Sequence, residues 1–479
     1  MDLFGRLDIT SVTETITKEN VVSELNATLP LHMKNMAEED YLYWYRRGKQ
    51  PILERTKEVR PEICNKIVEN HADEIVSFKN GYFLTEPTFY ISRSDDEKIV
   101  QNVKRLNDYL YLSGKHNVDN KVVDWFHTVG KGILYVEPDV DNEKIPVRVY
   151  ALDPRSAYVV RDLTPGNYPL YAVRIVITDE EKGLGIADVF TKSMKFTLKV
   201  NTKTMKAESV VDEKPNTLGM VPMVEYRYNN INKSAFESVI PLLDLINNIQ
   251  SNRGDGIEQF IQSLAVGVNC DFEEDVTYND IRKAGMILLK SIGENRADFK
   301  ILSEQLNQSE TQVFIDYIYQ QILTICGMPS TTKGGTSTSD TGSAVLYRDG
   351  WYQADTYARN TEDLFRESNR YFDELFITIL NKAAGLEIDI NDFELQFVRN
   401  ETANLLVKTQ GALNLKQLGL SPEIVLAKSG ISNDPVADVA NSKAYIEQMW
   451  NFTTENMTEK SKTQEMTEKS KTQEIEENQ

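Results

Sequence analysis

Cysteine is almost absent from this chain. Cys64, Cys270 and Cys326 are the only three in 479 residues. An odd, widely spaced set excludes a disulfide scaffold and a cysteine-based zinc site, and it suits a reducing compartment. Histidine is nearly as scarce: His32, His71, His116 and His127 form no H-x-x-x-H pair, so no metal site is assigned. Long apolar runs are missing too. No stretch approaches the length that crosses a bilayer, and residues 1–26, with Asp2 and Asp8, lack the apolar core of a signal peptide. The expected setting is cytoplasmic, with no membrane partner. Basic charge is in deficit, with 53 Lys+Arg against 73 Asp+Glu and a net charge of -20. That excludes a binder that grips phosphates with a basic surface. It is compatible with a wall along which a polyanion slides without sticking.

Catalytic signatures are absent as well. There is no G-x-S-x-G elbow, and Lys333-Gly334-Gly335 does not continue into G-x-x-x-x-G-K-[ST]. Acidic pairs such as Asp95-Asp96 and Glu273-Glu274 read as solvated in a chain this acidic. No catalytic residue and no cofactor is assigned.

What is present is enough apolar material, 41%, for a sizeable core in two or three domains or one elongated subunit. The period of that material changes along the chain. To about residue 131 it is helical, with stripes over Glu62–Phe78 and Glu97–Leu112 and a turn expected at Asn80–Leu84. From about 132 to 228 short β-rich runs alternate with turn signals: Ile133–Val136, Val147–Tyr150, Ala157–Val160, Tyr171–Ile177, Ala187–Thr191, Lys195–Val200 and Met223–Tyr228. A mostly antiparallel β region is expected there.

Helix returns at about 234, with Val239, Leu242, Leu243, Ile246 and Ile249 in one stripe and Pro241 in its first turn. Gly254 and Gly256 interrupt it, which predicts a bend or a close backbone approach. Residues 265–306 form a small mixed insert, with Met286–Leu289 as its expected strand. A second helix carries Val313, Phe314, Tyr317, Ile318, Ile322 and Ile325. Gly327–Gly342 is small, polar and long for a loop, which marks it as functional. Its composition suits contact with a polymer through backbone amides and hydroxyls. One proline-free helix is then expected over Ser343–Ala384, capped by Asp340, Thr341 or Ser343, with two or three shorter helices over 401–450. The segment Met457–Glu465 recurs as Met466–Glu474; without aliphatic or aromatic residues other than Met it cannot bury a core, so residues 451–479 read as a disordered repeat tail. The fold class is α+β, mainly helical.

Local strings point the same way. Tyr45-Arg46-Arg47-Gly48 leads into Pro51-Ile52-Leu53-Glu54-Arg55. Asn65–Asn70 runs on to Gly81–Leu84 and Pro87. Further along stand Gly219–Tyr226, Thr341-Gly342-Ser343-Ala344-Val345-Leu346, and Leu415–Pro435 with its G-L-S-P-E and D-P. In order and spacing, over roughly residues 30 to 450, these resemble the portal proteins of tailed phages, specifically the SPP1-type portal family. Thr85 stands where that family usually has glycine.

The resemblance implies a homo-oligomeric ring, expected to be a dodecamer, around a channel for double-stranded DNA read without sequence specificity. Its implied partners are the terminase, head-completion and connector proteins, and capsid and scaffolding proteins. Its implied place is the portal vertex of the virion, after assembly in the host cytoplasm. It divides the chain into a wing (1–233), stem helices (234–264 and 309–327) around a clip (265–308), a tunnel loop (328–342), a long wing helix and following segment (343–400) and a crown (401–450). Lys333, Gly334, Gly335, Thr336, Ser337, Thr338, Ser339, Asp340 and Thr341 would face the DNA, and Gly254 and Gly256 would serve stem packing. Two other readings suit the composition: a metal-dependent enzyme acting on nucleic acid, and a different ring-forming virion connector.

Overall fold

The computed structural model describes residues 5–261 apart from 59, 85, 95, 140 and 143; 264–268, 270–271, 290–291, 298–302, 308–330, 350–397 and 405–432; and a few positions between 435 and 445. In chain order the elements are β1 (Ile9–Thr10), α1 (Val21–Arg46), α2 (His71–Phe83), β2 (Phe89–Ser92), α3 (Glu97–Leu112), α4 (Lys115–Val129), β3 (Lys131–Pro138), β4 (Val147–Leu152), β5 (Ala157–Arg161), β6 (Pro169–Asp179), β7 (Leu184–Thr191), β8 (Met194–Asn201), β9 (Lys206–Pro215), β10 (Met223–Arg227), α5 (Ile240–Ile261), β11 (Leu264–Val268), β12 (Cys270–Asp271), β13 (Lys290–Ser291), β14 (Asp298–Leu302), α6 (Gln308–Cys326), α7 (Trp351–Ala384), β15 (Phe393–Gln396), α8 (Leu405–Gln417) and α9 (Pro422–Ser429).

The β region forms two sheets. One has six strands in the order β1-β5-β6-β7-β8-β9, antiparallel except for β1, which lies parallel to β5. The other is β10-β3-β4. Alternation along the strands stacks these into layers. Tyr158 and Val160 of β5 face Val21, Leu25 and Leu29 of α1, while Ala157 and Val159 face Ile133 and Met223 of the smaller sheet. The smaller sheet's other face, with Leu134, Val136, Val224 and Tyr226, packs on α4 and α7 through Phe126, Phe365 and Phe372. Pro30 lies inside α1. Its missing N–H weakens that turn, and the burial of Leu25, Leu29 and Leu42 offsets the loss.

A second core is built mainly from helices. The C-terminal half of α1 (Leu42, Tyr45), α2 (Ala72, Ile75, Val76), α5 (Leu243, Ile246) and α6 (Ile315, Ile318, Ile322, Leu323) meet there.

Four expectations change. The helix expected from Glu62 begins only at His71, with residues 63–70 outside any helix. It then runs through Gly81 to Phe83, where a turn was expected, because Phe83 is buried in the first core. The helix expected from about 234 begins at Ile240, after a 3-10 turn at Glu237–Val239. The long helix is not continuous from Ser343: Gly350 has φ +85°, outside helical space, and α7 starts at Trp351. The strand expected at 286–289, the cap candidates 340–343 and the repeat tail lie outside the described residues.

Candidate functional site

The helices α5 and α6 flank residues 262–307 in the chain, and α6 is followed by the polar stretch 327–342. Leu243 and Ile246 of α5 pack on Ile315, Ile318 and Ile322 of α6. Along an adjoining face α5 meets the non-helical segment 65–69. Asn65 N donates to Asp255 Oδ1 at 2.7 Å, Ile67 N to Ser251 Oγ at 2.9 Å, and Glu69 N to Asn247 Oδ1 at 2.8 Å. Alternate residues of the segment thus donate to every fourth residue of the helix. The repeats nearly match: four helical residues rise about 6 Å, and two extended residues span about 6.6 Å. These bonds satisfy backbone donors that a helix would otherwise use, which is why the stripe around Ile63 and Ile67 does not fold as α2's first turns.

Asn247, Ser251 and Asp255 are all buried. Asp255 also receives Arg55 Nη2 at 3.0 Å and Lys57 Nζ at 3.1 Å. Burial alone would raise its pKa. The hydrogen bonds from Asn65 and Lys57, with the charge of Arg55, hold it below the usual carboxylate range instead.

Gly254 lies against the same segment. A Cβ there would sit 3.3 Å from Asn65 Cβ and Cγ and 3.3 Å from Ile67 Cδ1. Gly256 follows on the same helix, partly exposed. At the segment's far end His71 is held between Glu69 and Glu74 and lies tilted against Tyr319 of α6, with ring centroids 4.8 Å apart. Burial lowers its pKa, but the two carboxylates outweigh this and raise it.

The outer face of α6 is apolar and uncovered: Val313 is 67%, Phe314 50% and Tyr317 60% exposed. The stripe read from the sequence therefore divides, with Ile318 and Ile322 inside and these three, with Ile325, outside.

The described residues on either side of 331–349 meet. Gly327 closes α6 with φ +63°, and Met328 N donates to Leu323 O at 2.8 Å. Gln353 of α7 donates Nε2 to Thr324 O at 3.3 Å. A Cβ at Gly350 would stand 3.6 Å from Pro329 Cα. Lys79 of α2 is buried beside this junction, its Nζ 5.1 Å from the centre of the Tyr357 ring, and burial pushes its pKa down to about 8. Lys333 to Thr341, the residues expected to face DNA, lie outside the described residues.

Sequence reasoning missed Asn247, Ser251 and Asp255, since polar side chains on a helix read as its wet face. The signal was available: three short acceptors at i, i+4 and i+8 form one stripe. Among the described residues no three His, Cys, Asp or Glu side chains are grouped to hold a metal ion. No described helix is long and apolar enough to cross a membrane.

A family model described as "Phage portal protein, SPP1 Gp6-like" matches residues 33–471, nearly the whole chain. The chain belongs to this portal family. No curated protein matches it significantly. The portal match starts at the thirteenth residue of α1 and reaches into the second copy of the terminal repeat, past the end near residue 450 of the motif resemblance. The portal family is a structural one, and the mixed, mainly helical architecture fits it.

Proposed function

We propose that the chain is the repeating subunit of a homo-oligomeric ring at one capsid vertex. The genome would be packaged through this ring by a terminase and later ejected through it. Head-completion and connector proteins would dock below, with capsid and scaffolding proteins around it. The observation that carries this reading is the portal match over residues 33–471.

Within it, residues 1–233 are the wing, α5 and α6 the stem, 265–308 the clip and 328–342 the tunnel loop. Residues 343–400 hold the long wing helix and 401–450 the crown. Three features support this assignment. The uncovered face of α6 (Val313, Phe314, Tyr317) gives a subunit an apolar surface to place against a neighbour. The meeting of Pro329 and Gly350 suits a loop that leaves the body and returns at one point. A net charge of -20 per subunit disfavours sticking to DNA.

The test is the particle mass of the purified chain in solution, with negative-stain images. A ring of about a dozen copies with a central hole is expected, by the closed symmetry such oligomers adopt. A monomer that persists across protein concentration and salt would overturn the reading.

A further inference from the structure

The family match begins at residue 33, yet the residues before it are not a loose arm. The backbone enters between tight walls. Gly5 has φ +93°, and any Cβ there would overlap the carbonyl oxygen of Ile231. Arg6 then plunges inward until its side chain is 0% exposed. Its Nη2 donates to both carboxylate oxygens of Glu237 at 3.0 Å, its Nη1 donates to Val129 O at 3.1 Å, and Glu38 Oε2 lies 2.8 Å away.

Glu237 is itself 1% exposed and accepts Ser234 N at 2.9 Å. It opens the 3-10 turn that leads directly into α5. The next residues are held as firmly. Arg6 N donates to Asn232 O, and Asn232 Nδ2 donates back to Arg6 O. Asn35 brackets Leu7, accepting its N–H and donating to its carbonyl, both at 2.8 Å. Asp8 receives Lys131 at 3.0 Å and Arg227 at 3.3 Å. Ile9 and Thr10 then pair with Val160 and Arg161, and Ile9 and Ile16 enter the core under the six-stranded sheet.

We propose that residues 5–16 are a strap that locks the six-stranded sheet to the root of α5, with the buried pocket of Glu237, Glu38 and Val129 O acting as the receptor for Arg6. Two physical consequences define the device. Removing Arg6 strands the Glu237 carboxylate in a dry site, so the 3-10 turn at the foot of α5 loosens. Removing the strap also bares the outer edge of β5, an open template for strand pairing with another copy. The strap is thus both a tie between the six-stranded sheet and α5 and a guard on a sheet edge. It does not depend on the portal reading, since it lies outside the matched residues.

The experiment uses the full chain, Arg6→Ala, Arg6→Lys and a chain lacking residues 2–16, and reads amide exchange by mass spectrometry at 234–246 and 157–161. Arg6→Ala is expected to speed exchange at 234–246 by at least about tenfold, the scale of losing one buried charge partner. Arg6→Lys should fall between Arg6→Ala and wild type. The truncated chain should lose protection at both places and regain it when a peptide of residues 1–17 is added. Unchanged exchange at 234–246 in Arg6→Ala overturns the lock. So does a truncated chain whose lost protection is confined to 157–161. If the truncated chain fails to fold, the two Arg6 variants decide alone.

Discussion

Asn65 and Asp255 face each other across the seam between an extended segment and α5: the backbone N–H of Asn65 and its Nδ2 both donate to Asp255 Oδ1, at 2.7 and 3.0 Å. The other carboxylate oxygen takes Arg55 and Lys57. One buried side chain therefore anchors a backbone, a neighbouring amide and two cations.

Asp255→Ala should be the most damaging single change in this seam. It takes the acceptor from Lys57 and from the backbone N–H of Asn65, while Arg55 keeps Asn65 O and Asn65 Nδ2 keeps Glu258, and the expected loss is about 2 kcal/mol. Thermal melts report the loss, and amide exchange at 62–70 should rise with it. An Asp255→Ala protein with wild-type exchange at 62–70 would show that the apolar contacts alone hold the segment.

Gly254 separates two opposing effects. Alanine gains roughly 1 kcal/mol of helix propensity, while its Cβ must settle at 3.3 Å from Asn65 and Ile67. Gly254→Ala should therefore lie within about 1 kcal/mol of wild type. Gly254→Leu has no room and should cost about 2 kcal/mol or more, measurable by denaturant unfolding. A Gly254→Leu chain as stable as wild type would mean that 65–67 moves away freely.

Lys79 makes stability depend on pH. Its folded pKa, about 8, lies below the ordinary value of about 10.5. Between these two values the unfolded chain binds more protons, so stability from this group rises with pH over that window. Below about 8 the buried charge is a standing cost. Lys79→Met should stabilise the fold at neutral pH by roughly 2 kcal/mol, and that gain should shrink as pH climbs from 8 toward 10. A gain independent of pH would assign the effect to packing instead.

Phe314 distinguishes folding from assembly. It is half exposed, so Phe314→Ser should change subunit stability by no more than about 0.5 kcal/mol. In the ring reading it should sharply weaken association, seen as a shift from ring to monomer in sedimentation. Rings that form as readily as wild type would remove α6's outer face from the subunit contact.

Periodicity made much of this architecture legible. Seven β runs were marked by β-rich composition between turn signals, and each falls on one of β3–β8 or β10. The edge strand β9 was not, because its residues are nearly all exposed and mostly charged or small, so they form no β-rich run. β1 was equally silent, since two residues cannot show a period. The site was half visible. Gly254 stood out as a helix interruption, but its partner segment carried a helical stripe and gave no sign that its donors were taken. Burial of Asn247, Ser251 and Asp255 depends on residues nearly 200 positions away, information that no local window contains.

The near-match of repeats along α5 works like a vernier scale. Each rung accumulates a mismatch of about 0.6 Å between helix rise and strand advance. Three rungs stay within hydrogen-bond tolerance, and a much longer ladder would not. A shift of one residue along the segment turns its donors to the other side, so intermediate positions are lost together. Segment 65–69 and α5 are thus related by a detent: they stay in register or jump by a full rung, with no gradual slide between.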